Sequence, residues 1–281
     1  MATASGLAAL AAGVALLAVS SPVEAGPGNL EPDLVTLAIN QDDLLIQLED
    51  DRVMFRFTNE IGNRGNGPLE IQPSAESLDC DGDADPANDR DATQRVFADS
   101  NGTGLFERGT DGVAAERRFG CMRYHPAHDH WHVLDIATYE LRREPPGKTR
   151  PRGEAERGPA APRRIRSRKV GFCLTDARLA FPTPTSQLTS TYPVNPQGVT
   201  NCQSVTTQGI SSGWADAYAF ALPGQALDVT DLPHGRYCLT TRADPTGVIS
   251  ELDEFNNVRR VRLSLQPSRL AVRKLSSPCR T

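Results

Sequence analysis

Apolar residues in this chain come in short runs, each closed by turn-forming residues. Leu44, Ile46 and Leu48 alternate with other side chains, and Val53-Met54-Phe55-Arg56-Phe57 follows after a polar break. Further runs cover His130 to Leu141, Val170 to Leu174, Ala217 to Leu222, Arg236 to Thr241 and Val258 to Leu265. A period of two turns one face of a strand inward, and runs this short suit strands better than helices. Gly62-Asn63-Arg64-Gly65-Asn66-Gly67, Pro223-Gly224 and Pro233-His234-Gly235 punctuate them. No long helical periodicity follows the N-terminal leader, and no internal repeat is visible. The pattern predicts an all-β chain: a single β-sandwich domain with long loops and little helix.

The first residues read differently. Leu7 to Val19 is a short apolar run, and Val23-Glu24-Ala25 offers a small-x-small cleavage site before Gly26. The stretch resembles a secretory signal peptide without a basic start, and it is shorter than the ~20 apolar residues a membrane helix needs. The expected organisation is a leader at 1–25 and a mature chain at 26–281 with no membrane span. The expected location is secreted or extracytoplasmic.

Composition narrows the picture further. The formal charge of −5 is no nucleic-acid signature. The six cysteines, Cys80, Cys121, Cys173, Cys202, Cys238 and Cys279, include no CxxC pair. An even count in an exported chain reads as three disulfides, of open connectivity. Residues 142–169 hold eleven Lys or Arg against three Glu, among many Pro and Gly. The 142–168 stretch therefore reads as a flexible insertion, able to attract an acidic partner or simply solvated. Aspartates between Asp79 and Asp91 have oxygen ligands to offer calcium, but no closing Glu, so a solvated acidic loop is the better reading.

The chemistry concentrates in one place. His125, His128, His130 and His132 are four of the five histidines in the chain. On a strand, His128, His130 and His132 share one face, so three imidazoles converge on one ion. Imidazole suits copper, zinc, iron and nickel alike. A zinc or iron enzyme of cupin type would need a further ligand, and the remaining histidine, His234, sits in a Pro-His-Gly turn.

A set of further motifs then follows in order. Pro32-Asp33-Leu34-Val35 comes first, then the histidines, with Tyr139-Glu140-Leu141 closing their strand. Lys169-Val170-Gly171-Phe172-Cys173-Leu174-Thr175-Asp176 follows, then Cys202 and Gln208-Gly209-Ile210-Ser211. Asp216-Ala217-Tyr218 leads to Asp228-Val229-Thr230-Asp231 and Gly235-Arg236-Tyr237, and the run ends at Glu251-Leu252-Asp253-Glu254-Phe255-Asn256-Asn257. In this order, over most of residues 32–257, the chain resembles the catalytic domain of the lysyl oxidases, copper- and quinone-dependent amine oxidases.

The resemblance implies roles. His128, His130 and His132 match copper ligands. Lys169 and Tyr218 match the lysine and tyrosine that join as lysine tyrosylquinone, an electron sink for oxidative deamination of primary amines, peptidyl lysine included. O2 is the acceptor, and aldehyde, H2O2 and ammonia are the products. Asp216 is the candidate base, equally readable as a structural aspartate. Asp33, the Leu34 carbonyl, Glu251, Asp253, Asn256 and Asn257 match a calcium site, and would equally make an Asx-rich turn. Cys173 and Cys202 match a disulfide; Cys80–Cys121 and Cys238–Cys279 are the favoured pairing of the rest. Leu179, Trp214 and Gly224 stand where animal members have half-cystines, the first two being partners of one another. The expected unit is one lysyl oxidase-like domain over 26–281. The rival reading is a non-catalytic exported module that binds copper or calcium; it gives Lys169 and Tyr218 no reason to match.

Overall fold

The computed structural model describes residues 28–75, 79–80, 87–126, 129–145, 164–167, 171–182, 187–193, 202 and 207–280. The expected leader at 1–25, residues 146–163 of the expected insertion, His128 and Lys169 lie outside the described residues. Within them the chain is all-β. Regular helix is limited to the 3-10 turns Gln41–Asp43 and Pro267–Arg269 and a 3-10 position at Cys202, and every strand ladder is antiparallel.

Four sheets share one core. A three-stranded sheet orders Ala226–Asp228, Arg52–Phe57 and Leu44–Glu49. Its hairpin turns at Asp50 and Asp51, both with positive φ (44° and 63°), the two-residue geometry that matches strand twist. A four-stranded sheet orders Arg178–Leu179, Trp214–Tyr218, Asn59–Asn63 and Leu34–Thr36. A five-stranded sheet orders Arg164–Arg166, Ala137–Arg143, Gly235–Ala243, Val258–Gln266 and Ala271–Lys274. The largest sheet has seven strands. Gly171–Phe172, His130–Leu134, Val113–His125, Asp89–Ala98, Leu69–Pro73 and Gln208–Ile210 run in that order, with Asn29–Leu30 added to Asp89–Ala98.

One aromatic from each sheet meets in the core. Phe57 packs edge-on against Tyr139 with ring centroids 5.0 Å apart. Tyr139 meets Phe172 at 6.3 Å, and Phe172 meets Tyr218 at 4.4 Å. Edge-to-face pairs of this kind add ~0.5–1.5 kcal/mol each beyond their buried area. Tyr218 is thus the end of a row of rings that ties the sheets together.

Several strand expectations are corrected. His130 to Leu141 is two strands in two different sheets, because Asp135 takes a left-handed conformation (φ 57°) and turns the chain. The strand expected at Ala217–Leu222 is Trp214–Tyr218, and the chain turns after Tyr218. The ends of the basic insertion are ordered: Arg142 pairs with Arg164, and Glu140 with Arg166, as adjoining strands. Asp89 and Asp91 belong to a strand rather than an acidic loop, and the buried Asp89 accepts the Cys80 amide at 2.8 Å. The two longest strands, Asp89–Ala98 and Val113–His125, gave no clear sequence pattern. Their pairing shifts register twice, and each bulge breaks the period of two.

The cysteines form Cys80–Cys121, Cys173–Cys202 and Cys238–Cys279. Leu179 and Trp214 face one another directly across their two strands. No helix among the described residues is long and apolar enough to cross a membrane.

Candidate active site

The imidazoles stand on the strand His130–Leu134, held between two left-handed aspartates, Asp129 and Asp135. Asp and Asn tolerate that conformation better than bulkier residues. His130 and His132 are two apart on one strand and present their rings to the same side, with Nε2 atoms 2.9 Å apart. Two nitrogens each ~2.0–2.1 Å from one ion and at right angles around it lie ~2.9 Å apart, so this pair fits a shared metal. His132 is buried, and His125 joins from the neighbouring strand, paired opposite His130 with its ring 5.2 Å from that of His132. His128 lies outside the described residues.

Gly171–Phe172 is the edge strand beside the imidazoles, with Gly171 opposite Leu134. A Cβ on Gly171 would stand 2.8 Å from Leu134 Cδ2, 3.0 Å from His132 Cβ and 3.2 Å from His132 Nδ1. Glycine is therefore what lets this strand lie against His132. One residue on, Phe172 packs on the Tyr218 ring, and the next carbonyl, that of Cys173, accepts the Tyr218 hydroxyl at 2.6 Å. Three consecutive residues thus touch His132 at one end and Tyr218 at the other.

Tyr218 and Asp216 lie on Trp214–Tyr218, which pairs with Asn59–Asn63 in unbroken register. No bulge intervenes, so the two side chains share a face, and both are buried. Asp216 Oδ1 accepts the Thr175 hydroxyl at 3.4 Å. Burial pushes the Asp216 carboxyl up to about 7, although hydrogen bonds from Tyr218, Ala217 and Thr175 oppose the rise. Burial, and then the adjacent Asp216, hold the Tyr218 phenol protonated well above its usual range. A cleft of about 660 Å³ opens over His125, His132 and Gly171. Arg52, Arg56, Arg123 and Arg166 line it with Glu49 and Asp228.

Sequence comparison shows what this segment is similar to. Residues 162–275 match the family model for lysyl oxidase. This stretch is similar to the lysyl oxidase family. It contains Lys169, Cys173, Cys202, Asp216, Tyr218 and Glu251 to Asn257, and begins after the histidines. Human and bovine lysyl oxidase homolog 1 are each 26% identical to the chain over 154 residues, covering 54% of it and 22% and 21% of their own lengths. Rat protein-lysine 6-oxidase is 26% identical over 157 residues, 54% of this chain and 31% of its own. The chain spans about a fifth to a third of these relatives.

The lysyl oxidase-like segment also carries an acidic cluster. Glu251 accepts the Leu34 amide at 2.7 Å and the Asn257 side chain at 2.6 Å, and Asn256 donates to Asp33 at 2.7 Å. The late loop is therefore tied to the N-terminal strand. Asp253 accepts the Phe255 amide at 2.9 Å. The carboxylates that converge are Asp244, Glu251 and Glu254, with ligand atoms within 4.8 Å of one another. Burial and neighbouring carboxylates push Glu251 up to about 8 and Glu254 up to about 7. The side-chain oxygens Glu254 Oε1, Asn256 Oδ1 and Asn257 Oδ1 are buried with no donor among the described residues. Hard oxygen donors under mutual repulsion fit a calcium ion. In the sequence the Ala-Asp-Pro turn at Asp244 carries no metal spacing, whereas Glu254 lies within Glu251 to Asn257.

Proposed function

We propose that the chain is a copper- and lysine tyrosylquinone-dependent amine oxidase. It would convert a primary amine, peptidyl lysine among them, with O2 and water to an aldehyde, H2O2 and ammonia. The observation that carries this reading is the Gly171–Cys173 segment, which lies against His132 and holds the Tyr218 ring and hydroxyl. Lys169 is covalently tethered two residues before Gly171, on the same segment.

Each side chain has a task in this reading. His130 and His132, with His128, would hold the copper. Copper supplies oxygen activation, and the quinone made from Lys169 and Tyr218 supplies an electron sink. Phe172 and the Cys173 carbonyl fix the plane and hydroxyl direction of Tyr218. Asp216, on the same face and titrating near neutrality, takes the proton from the substrate carbon. In this reading the amine would approach through the cleft over His132 and Gly171, and the buried aromatics around Tyr218 would exclude water. Calcium would sit at Glu251, Glu254 and Asp244, with Asn256, Asn257 and Asp33 beside it, fastening the N-terminal strand to the late loop. The unit would be 26–281 after removal of 1–25, acting outside the cytoplasm, in keeping with three disulfides.

The test is peroxide release from copper-loaded protein with a panel of primary amines. Release that survives in wild type and disappears in Tyr218→Phe and Lys169→Met, with copper still bound in both, supports the reading. Copper binding without turnover in wild type would favour the non-catalytic binding module.

A further inference from the structure

The five-stranded sheet turns Tyr139, Leu141, Tyr237, Leu239 and Leu263 into the core. Alternate positions face the other way, and there arginine dominates. Arg142 and Arg262 both pair with Cys238, one on each side. Arg236, Ser264 and Arg273 form the next row across three strands. Arg260 faces Thr240, and Arg242 faces Val258. Arg142, Arg236, Arg242, Arg260 and Arg273 are exposed, and none has a carboxylate partner among the described residues. The whole chain carries a formal charge of −5, so this concentration of positive charge is local.

A hollow of about 530 Å³ lies in the same face, and it has no carboxylate in its lining. Arg236, Arg262, Arg273, Arg280, Ser264 and Ser277 border it. Arg262 is only 6% exposed, fixed by donating to Glu144 at 2.9 Å and to the Ser277 hydroxyl at 2.5 Å. Ser277 and Arg280 come from the C-terminal segment, which Cys238–Cys279 fastens to the sheet. The Arg280 amide donates to Glu144 at 2.8 Å. Glu144 neutralises Arg262, which leaves Arg236, Arg273 and Arg280 around a fixed floor with no carboxylate partner among the described residues.

We propose that this face docks an anionic polysaccharide, with the hollow seating one sulfate or carboxylate substituent. The planar guanidinium fork matches such groups, and a grid of them recognises charge density rather than shape. The large exposed apolar residues, such as Leu48, Leu188, Leu252 and Phe255, lie off these strands. The face therefore lacks the aromatic or aliphatic anchors of a protein hot spot, a membrane-inserting surface or a base-stacking platform. The inference stands apart from the oxidase reading and uses none of its residues.

The test uses the full chain with heparin as the sulfated probe, beside duplex DNA and phosphatidylserine vesicles at matched ionic strength. Wild type binds heparin at low salt in preference to both, and binding falls steeply as salt rises. Arg236→Ser/Arg273→Ser weakens heparin binding roughly tenfold, while Arg95→Ser/Arg118→Ser, an equal change of charge elsewhere, alters it less than about twofold. Unfolding temperatures check that each variant is folded; if the first pair is not, Arg242→Ser and Arg260→Ser carry the same comparison. Equal losses from the two pairs, no heparin binding by wild type, or tighter binding to DNA or vesicles overturns the proposal.

Discussion

Gly171 shows how narrow the tolerances are at single residues. A methyl group there would press on Leu134 and on both the Cβ and Nδ1 of His132. Gly171→Ala should therefore displace the imidazole and lower copper affinity about 10–100-fold, the usual cost of disturbing a ligand's support, as measured by competition with a chelator. Asp216 makes a different prediction. Its carboxyl titrates near 7 when folded and near the ordinary carboxylate value when unfolded, so its neutral form favours the fold. That stabilisation is full below the unfolded value and is lost as pH rises through about 7. Thermal unfolding followed against pH should show wild type losing stability between roughly pH 4 and 7 relative to Asp216→Asn, which has nothing there to ionise. As a base it needs the opposite form, so turnover should rise through about pH 7. A pH–rate limb unchanged in Asp216→Asn would remove it from the reaction. His130, His132, Asp216 and Tyr218 stand out in the sequence as candidates because spacing of two and flanking motif carry them. Gly171, Thr175 and the Cys173 carbonyl were not seen as site parts, since their contribution is contact and backbone direction.

Among the elements, the short edge strand at Gly171–Phe172 has the greatest leverage. Two ladder residues alone would hold it weakly, and the Cys173–Cys202 disulfide adds a staple directly after it. Cys173→Ser/Cys202→Ser should lose about 2–4 kcal/mol in denaturant unfolding and should impair the Tyr218 site more than copper binding. Leu179 and Trp214 offer the converse experiment. They stand directly opposite in antiparallel register, as the expected loss of a half-cystine pair implied. Leu179→Cys/Trp214→Cys should close a disulfide in air, seen as no titratable thiol; two persistent thiols would argue against this register. Regular hairpins such as Leu44–Phe57 could be read directly, because alternation and turn chemistry agree. Asp89–Ala98 and Val113–His125 could not, because bulges reset the period, buried positions of the first include the polar Asp89 and Gln94, and few positions of the second are deeply buried.

For the molecule as a whole, closure depends on joining the N-terminal strand Leu34–Thr36 to a late loop. Leu34 and Asp33 meet Glu251 and Asn256 there, and Glu251 lies beside Asp244 and Glu254, carboxylates that repel one another. Calcium should raise the unfolding temperature by several degrees and EDTA should reverse the gain, while Glu251→Gln should respond little. An equal calcium response in that variant would place the ion elsewhere. The class of fold was readable from composition and short runs, whereas the division into four sheets around one aromatic row was not, because it depends on which distant strands pair. That row ends at Tyr218, and the proposed chemistry requires the same side chain to be bonded to Lys169. Peptide mass spectrometry on protein matured with copper in air examines this bond itself. A crosslinked pair of peptides containing Lys169 and Tyr218, absent from Tyr218→Phe and from protein kept free of copper, is the predicted result. Separate, unmodified Lys169 and Tyr218 peptides from fully copper-loaded protein would contradict it.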